Sequence, residues 1–286
     1  MDIIKRAILF GGKAIVSVMD TTELVQEAIN LHSFSDSVAQ AMGKLLTMTA
    51  FMSGNFKSQG NKLTLIIKGD GEAGKMVASG DYGAKVRAYC ENPSASIIQK
   101  KSINDMVGRN GNLIVIKDFG LKEPYNGYSQ IVNGSIDADF AYYFTTSEQL
   151  PSAVALGCEV DSGKCHRSCG VIVQPMPNCE EEILVILQDI VSNFTNLVEL
   201  LKDKTLEELI DFYFGHFEIN ILDDIYPKYI CSCSDAKVES MILSLGYEQA
   251  MDIVNSQGHI EVCCEFCNTK RKYDADAIEK LFNQLS

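Results

Sequence analysis

The period of the hydrophobic positions changes several times along the chain, and each change predicts an element. Leu24, Val25 and Ile29 follow Asp20 and Glu23, whose spacing suits a capping box, so a helix is predicted over about residues 21–32. From Ser37 onward, Val38, Ala41, Met42, Leu45, Met48 and Met52 keep helical spacing; the methionines read as core rather than as a binding surface. Short stretches rich in β-formers follow at Leu63–Lys68, Lys85–Cys90, Asn112–Lys117 and Ser129–Ile136, with Gly and Asn between them. Asp137–Thr146 predicts a short helix rich in aromatic residues, and Ala153–Val160 with Gly170–Gln174 a strand pair around a polar loop.

Pro175-Met176-Pro177 interrupts this pattern and is read as the end of a first domain. Beyond it, Ile183, Leu187, Ile190, Phe194, Leu197 and Leu201 form one helical stripe. Thr205 and Glu208 then supply a capping box for Leu206, Leu209, Ile210 and Phe214. After Tyr226-Pro227, Ser234 is placed to cap a helix carrying Val238, Met241, Ile242 and Leu245, with Gly246 as its stop. A last helix starts near Asp274 or Asp276 and buries Ile278, Leu281 and Phe282. The expected fold class is α+β in three parts: an N-terminal core domain of mixed strands and helices over 1–177, a helical linker over 178–228 and a small C-terminal domain over 229–286.

Composition narrows the function classes. Acidic residues number 38 against 25 basic ones, a formal charge of −13, which repels nucleic-acid phosphates and anionic membranes. No apolar run reaches the length of a membrane span, and Met1–Arg6 is not followed by a signal-peptide core, so a cytoplasmic location is expected, without nucleic-acid or membrane partners. Ten cysteines in that setting point to metal ligands, redox chemistry or reduced thiols rather than a disulfide scaffold.

The strongest chemical signal is Cys231-Ser232-Cys233, then thirty residues, then Cys264-Glu265-Phe266-Cys267. Two close pairs can supply four thiolates to one tetrahedral zinc, each pair acting as one jaw. Cys263 competes with Cys264 for a place; alternation along His259–Val262 puts Ile260, Val262 and Cys264 on one face and favours Cys264. Cys233 lies at a predicted helix N-terminus, where the dipole favours thiolate. Cys158, Cys165, Cys169 and Cys179, with His166, fit no compact two-jaw spacing and are read as unligated thiols. Gly69–Lys75 imitates a phosphate-binding loop, but Met76 stands where a magnesium-binding hydroxyl is needed, so a hairpin turn is expected.

These residues resemble the redox-regulated holdase chaperones of the heat-shock protein 33 family, the 33-kDa chaperonins. That family's defining zinc site is similar to Cys231, Cys233, Cys264 and Cys267 in this spacing. Similar segments also occur at Gly69-Asp70-Gly71, Val86-Arg87-Ala88-Tyr89, Asn92-Pro93, Gly111-Asn112-Leu113 and Asp118-Phe119-Gly120. Pro124-Tyr125-Asn126-Gly127, Ser147-Glu148-Gln149-Leu150-Pro151 and Gln174-Pro175-Met176-Pro177 extend the resemblance over essentially the whole chain. Ser168-Cys169-Gly170 departs from it, since the family more often has small residues without a thiol there. Cys158, Cys165, Cys169, Cys179 and Cys263 receive no role from it.

The resemblance implies a non-enzymatic protein that is inactive while reduced, with one zinc per chain. Under oxidants such as peroxide with unfolding stress, or hypochlorous acid, it implies disulfides Cys231–Cys233 and Cys264–Cys267, zinc release and an unfolded linker. The active form would hold partly unfolded client proteins without ATP, as a homodimer built through the first domain. Ile183, Leu187, Ile190, Phe194, Leu197 and Leu201 are candidate client-binding residues, covered in the reduced form. Physical magnitudes favour such a switch: structural zinc contributes about 10–16 kcal/mol in small modules, whereas a disulfide closing a few residues offers about 2 kcal/mol. Two competing classes remain: a zinc-ribbon adaptor with a fixed protein partner, which would bind without oxidation, and a thiol oxidoreductase, which would need Cys264–Cys267 to open a helix in a βαβ setting.

Overall fold

The structure, a computed structural model, describes residues 1–96, 102–177 and 179–283. The expected linker start at residue 178 and residues 284–286 of the expected last domain lie outside the described residues. The chain folds into two compact units, Met1–Ile230 and Cys231–Ser286, with the α+β character the sequence predicts.

Strands β1 (Ile3–Leu9) and β2 (Ala14–Asp20) form a hairpin, followed by helices α1 (Thr22–His32) and α2 (Asp36–Gly54). Ser35 caps α2 by accepting from the Val38 amide, and Val38, Ala41, Met42, Leu45 and Met48 are fully buried along it, as their spacing predicts. The capping box expected for α1 does not form. Asp20 accepts from the Thr22 amide and Glu23 pairs with the terminal amine. The Glu23 and Leu24 amides donate instead to the carboxylate of Asp2, at 2.9 and 2.6 Å. Burial holds the Asp2 carboxyl up at about 6 despite those bonds.

Strands β3 (Lys62–Gly69), β4 (Lys75–Asp81) and β5 (Lys85–Cys90) form a meander. The short helix α3 (Asn104–Val107) leads to β6 (Gly111–Asp118), which returns beside β3, and β7 (Tyr125–Gln130) pairs with β6. The phosphate-loop look-alike is the β3–β4 turn; a strand, not a helix, follows it. The strand expected at Ser129–Ile136 is shifted toward the N-terminus. It ends early because the Val132 amide donates to Asp139 and the Ser135 amide to Asn133, which turns the chain into α4 (Ile136–Thr146).

Strands β8 (Ala153–Asp161) and β9 (Lys164–Pro175) are joined only by Ser162 and Gly163, both left-handed with φ of 52° and 75°. That two-residue turn replaces the expected polar loop and extends β9 well beyond Gly170–Gln174. Helix α5 (Glu181–Ser192), a 3-10 turn (Asn193–Asn196), α6 (Leu197–Leu200) and α7 (Leu206–Phe214) follow, the last with the predicted Thr205–Glu208 capping box. The segment expected as helices alone then adds two strands, β10 (Ile219–Ile221) beside β1 and β11 (Lys228–Tyr229), parallel to β5.

The result is a five-stranded sheet, β10-β1-β2-β9-β8, and a six-stranded sheet, β11-β5-β4-β3-β6-β7. Helix α2 packs against strands of both, and the main core gathers there. The other face of the five-stranded sheet, with Val16, Val18, Val171 and Val173, is covered by α5, α6 and α7.

The second unit contains α8 (Asp235–Leu245), α9 (Tyr247–Gln257), the hairpin β12 (Ile260–Cys263) with β13 (Lys270–Tyr273), and α10 (Ala275–Asn283). Its buried apolar residues are Val238, Ile242, Ala250, Val254, Ile260 and Ile278. So small a core is marginal by itself, because little of the surface of a short chain can be removed from water.

Candidate metal centre

Each cysteine pair is held by a local device. Ser234 caps α8 by accepting from the Lys237 amide, and the Lys237 ammonium donates to the Ser232 carbonyl, which fixes the Cys231–Cys233 segment ahead of the helix. The second pair occupies the tip of the β12–β13 hairpin. Cys264 donates its amide to the Thr269 carbonyl, and the amides of Cys267 and Asn268 return to the Cys264 carbonyl at 3.3 and 2.8 Å. Asn268 takes the left-handed conformation, φ 54°, that closes this turn.

The four sulfurs of Cys231, Cys233, Cys264 and Cys267 all lie within 4.8 Å of one another. The Sγ–Sγ distances are 3.6 Å for Cys231–Cys264 and 3.5 Å for Cys233–Cys267, so the pairs meet face to face across the site. With a metal–sulfur distance of about 2.3 Å, a tetrahedral thiolate site has sulfur–sulfur edges of about 3.8 Å. The donor set therefore fits zinc in number, chemistry and spacing. Cys263 pairs with Lys270 in the hairpin, is exposed and stands outside the cluster.

Protons are held unevenly among these thiols. Burial, then the neighbouring sulfurs, push Cys231 up to about 12. At Cys267 burial acts in the same upward sense, but the hydroxyl and amide of Thr269, with the Cys233 and Cys231 thiols, outweigh it and bring the group down to about 6. The Thr269 oxygen is 3.2 Å from that sulfur. Arg271 stands 3.7 Å from Cys233 and is anchored by Asp235 at the start of α8. Thr269 and Arg271 escaped the cysteine spacing; their signal is positional, since alternate residues of a strand leaving the hairpin tip share one face.

The apolar stripe lies in the first unit. Leu187, Phe194, Leu197 and Leu201 are buried against the five-stranded sheet, and Ile183 and Ile190 are half-buried beside them. The stripe is not one helix: the chain kinks at Phe194, with φ −87° and ψ 21°, so that α5 and α6 both keep an apolar side on the sheet. Phe194 stacks edge-on against Tyr213 of α7 at 4.7 Å. Of the thiols in the first unit, Cys90 is buried on β5, Cys165 and Cys169 are buried on β9, Cys158 lies on β8 and Cys179 precedes α5; none of them belongs to a ligand cluster among the described residues.

A family model described as Hsp33 protein matches residues 2–274. A 33 kDa chaperonin of Clostridium botulinum (strain 657 / Type Ba4) is 37% identical over 283 residues, covering 97% of this chain and 96% of its own. One from Clostridium novyi (strain NT) is 35% identical over 286 residues, covering 98% and 97%. Among solved structures, the 33 kDa chaperonin of Thermotoga maritima, a heat shock protein 33 homologue, superposes with a TM-score of 0.91 at 27% identity, covering 99% of this chain and 98% of its own. Among the described residues, no helix is long and apolar enough to cross a membrane.

Proposed function

The chain belongs to the Hsp33 protein family of chaperones, and from that premise we propose that it is an ATP-independent holdase switched on by oxidation. The observation that carries the proposal is four mutually close thiols in a unit with a very small apolar core. In the reduced protein, Cys231, Cys233, Cys264 and Cys267 would hold one zinc. Bound zinc would supply the charge that keeps these sulfurs as thiolates and a bond network joining the two jaws.

Oxidation removes the donor set. The two thiols of a jaw give up two protons and two electrons to one peroxide, which leaves a disulfide and two waters. We place these bonds within the jaws, as Cys231–Cys233 and Cys264–Cys267. Bonds across the jaws, where the sulfurs are also close, would preserve the clamp rather than release it. Without the clamp, a unit with six buried apolar side chains among its described residues loses its fold. The loosening extends, in this proposal, through α7, α6 and α5, uncovering Ile183, Leu187, Ile190, Phe194, Leu197 and Leu201 for unfolded clients. The active species is a homodimer built through the first unit, and the protein works in the cytoplasm.

Light scattering of a thermally unfolding client enzyme tests this without ATP present. Peroxide-treated protein should suppress aggregation and reduced, zinc-loaded protein should not. Equal suppression by both would leave the chaperone assignment and remove the redox switch.

A further inference from the structure

The β8–β9 hairpin carries a second pair of thiols that no part of the terminal switch uses. In its register Cys158 stands opposite Ser168, Glu159 opposite Arg167 and Val160 opposite Cys165, so His166 is the extra residue of a bulge. Without that insertion, alternation would turn Cys165 to the face covered by α5–α7, where Cys169 lies. With it, Cys165 joins Val160, Leu156 and Cys158 on the face toward α2, while His166 is exposed. The two thiols are then same-face neighbours across the hairpin, Cys165 directly opposite Val160 and Cys158 two residues before it on β8. Gly43 of α2 makes room for them, since a Cβ there would stand 2.5 Å from the Cys158 sulfur.

The pair also has an entry. Cys158 lines an open cavity of about 230 Å³, walled by Gln40 and Lys44 of α2 and by Asn196, Leu197 and Val198 of the kinked cover. Cys165 is 5% exposed and lies behind it. One thiol therefore faces a small-molecule cavity and its neighbour is shielded, an arrangement suited to one attacking and one resolving sulfur.

We propose that Cys158 and Cys165 are a second redox site, closing as a disulfide across the β8–β9 hairpin when a hydroperoxide reaches the cavity. The Cys158 thiol takes the peroxide's distal oxygen to become a sulfenic acid, releasing the first water. The Cys165 sulfur then displaces that hydroxyl as the second water and forms the sulfur–sulfur bond. Two thiol protons and two electrons leave the protein, and hydrogen peroxide is reduced to two waters. The neighbouring Cys165 thiol, with burial, holds the Cys158 thiol well above its ordinary range, so the pair responds slowly and at a high oxidant load. Closed, it staples the edge strand β8 to β9 beneath the segment that carries Leu197.

Peptide mapping of the full reduced chain after graded peroxide, acid quenching and alkylation tests the proposal. Trypsin cuts after Lys122, Lys164 and Arg167, so a bond would join residues 123–164 to the tripeptide Cys165-His166-Arg167. The joined species is expected to accumulate with peroxide and to be lost in Cys158→Ala and in Cys165→Ala. In Cys165→Ala, a dimedone adduct is expected on Cys158. Recovery of both cysteines fully alkylated at peroxide levels that consume the other accessible thiols would overturn the proposal, as would Cys165 bonded elsewhere. The same digest reports Cys231, Cys233, Cys264 and Cys267 separately. If these stay alkylatable while the hairpin bond forms, the terminal switch fails and the second site stands.

Discussion

Replacing Leu187 and Phe194 together tests whether one apolar surface serves both states. Both side chains are nearly fully buried, at 4% and 3% exposure, in the core between α5–α7 and the five-stranded sheet. Cutting such residues to Ala costs about 2–5 kcal/mol for Leu and about 3–5 kcal/mol for Phe; Ser adds a buried hydroxyl. At the lower ends the pair costs about 5 kcal/mol, a shift of roughly 10³–10⁴ in the equilibrium for lifting this cover. Hydrogen exchange of the reduced, zinc-loaded Leu187→Ser/Phe194→Ser protein should show that loss of protection in residues 183–201. Amides in the β3–β6 pairing should keep theirs. After peroxide, the same variant should hold clients less well than the parent, because the surface that grips them has become polar. If oxidised holding is unchanged while exchange rises as expected, the stripe is cover only, and clients bind on another surface.

Three further outcomes follow from the geometry. Cys264→Ser should lose zinc and Cys263→Ser should retain it, read by metal analysis of purified protein; the reverse would reassign the fourth ligand. Asp70 accepts from the Arg109 and Asn110 amides and from the Asn110 side chain, which hold its carboxyl down at about 2. Its unfolded value is near 3.8, so the stability it contributes is full above that pH and is lost as pH falls toward 2; acid-unfolding curves should lose this component in Asp70→Asn. Gly43→Ala should destabilise by about 1–3 kcal/mol through overpacking on Cys158, and Cys158→Ala should restore much of it, because the two changes share one contact; strictly additive losses in thermal unfolding would show that they do not.

What the sequence reveals is largely local chemistry. The buried face of α2, the Thr205–Glu208 box, the Ser234 cap and the four clustered cysteines each depend on residues within a turn or two, or on side chains with one chemical use. What it hides is long-range. Strand β1 carries Lys5 and Arg6, whose charges mask it; Lys5 is satisfied by Glu207 and Asp224, some 200 residues later. Strand β4 contains Gly80, which reads as a breaker but lets α2 approach so closely that a Cβ there would meet Ser53 at 2.5 Å. The start of β9 looks like a polar loop because Ser168 finds its partners in Thr21 and Thr47, on distant elements. In the site itself, Thr269 and Arg271 become visible only once the hairpin register is known.

The switch itself is tested most directly by titrating reduced protein with peroxide while released zinc and client holding are measured on the same samples. One zinc per chain should leave as Cys231, Cys233, Cys264 and Cys267 are consumed, and holding should rise in step with it. Full holding before any zinc is released, or complete release with no gain in holding, would contradict a redox switch at these four sulfurs.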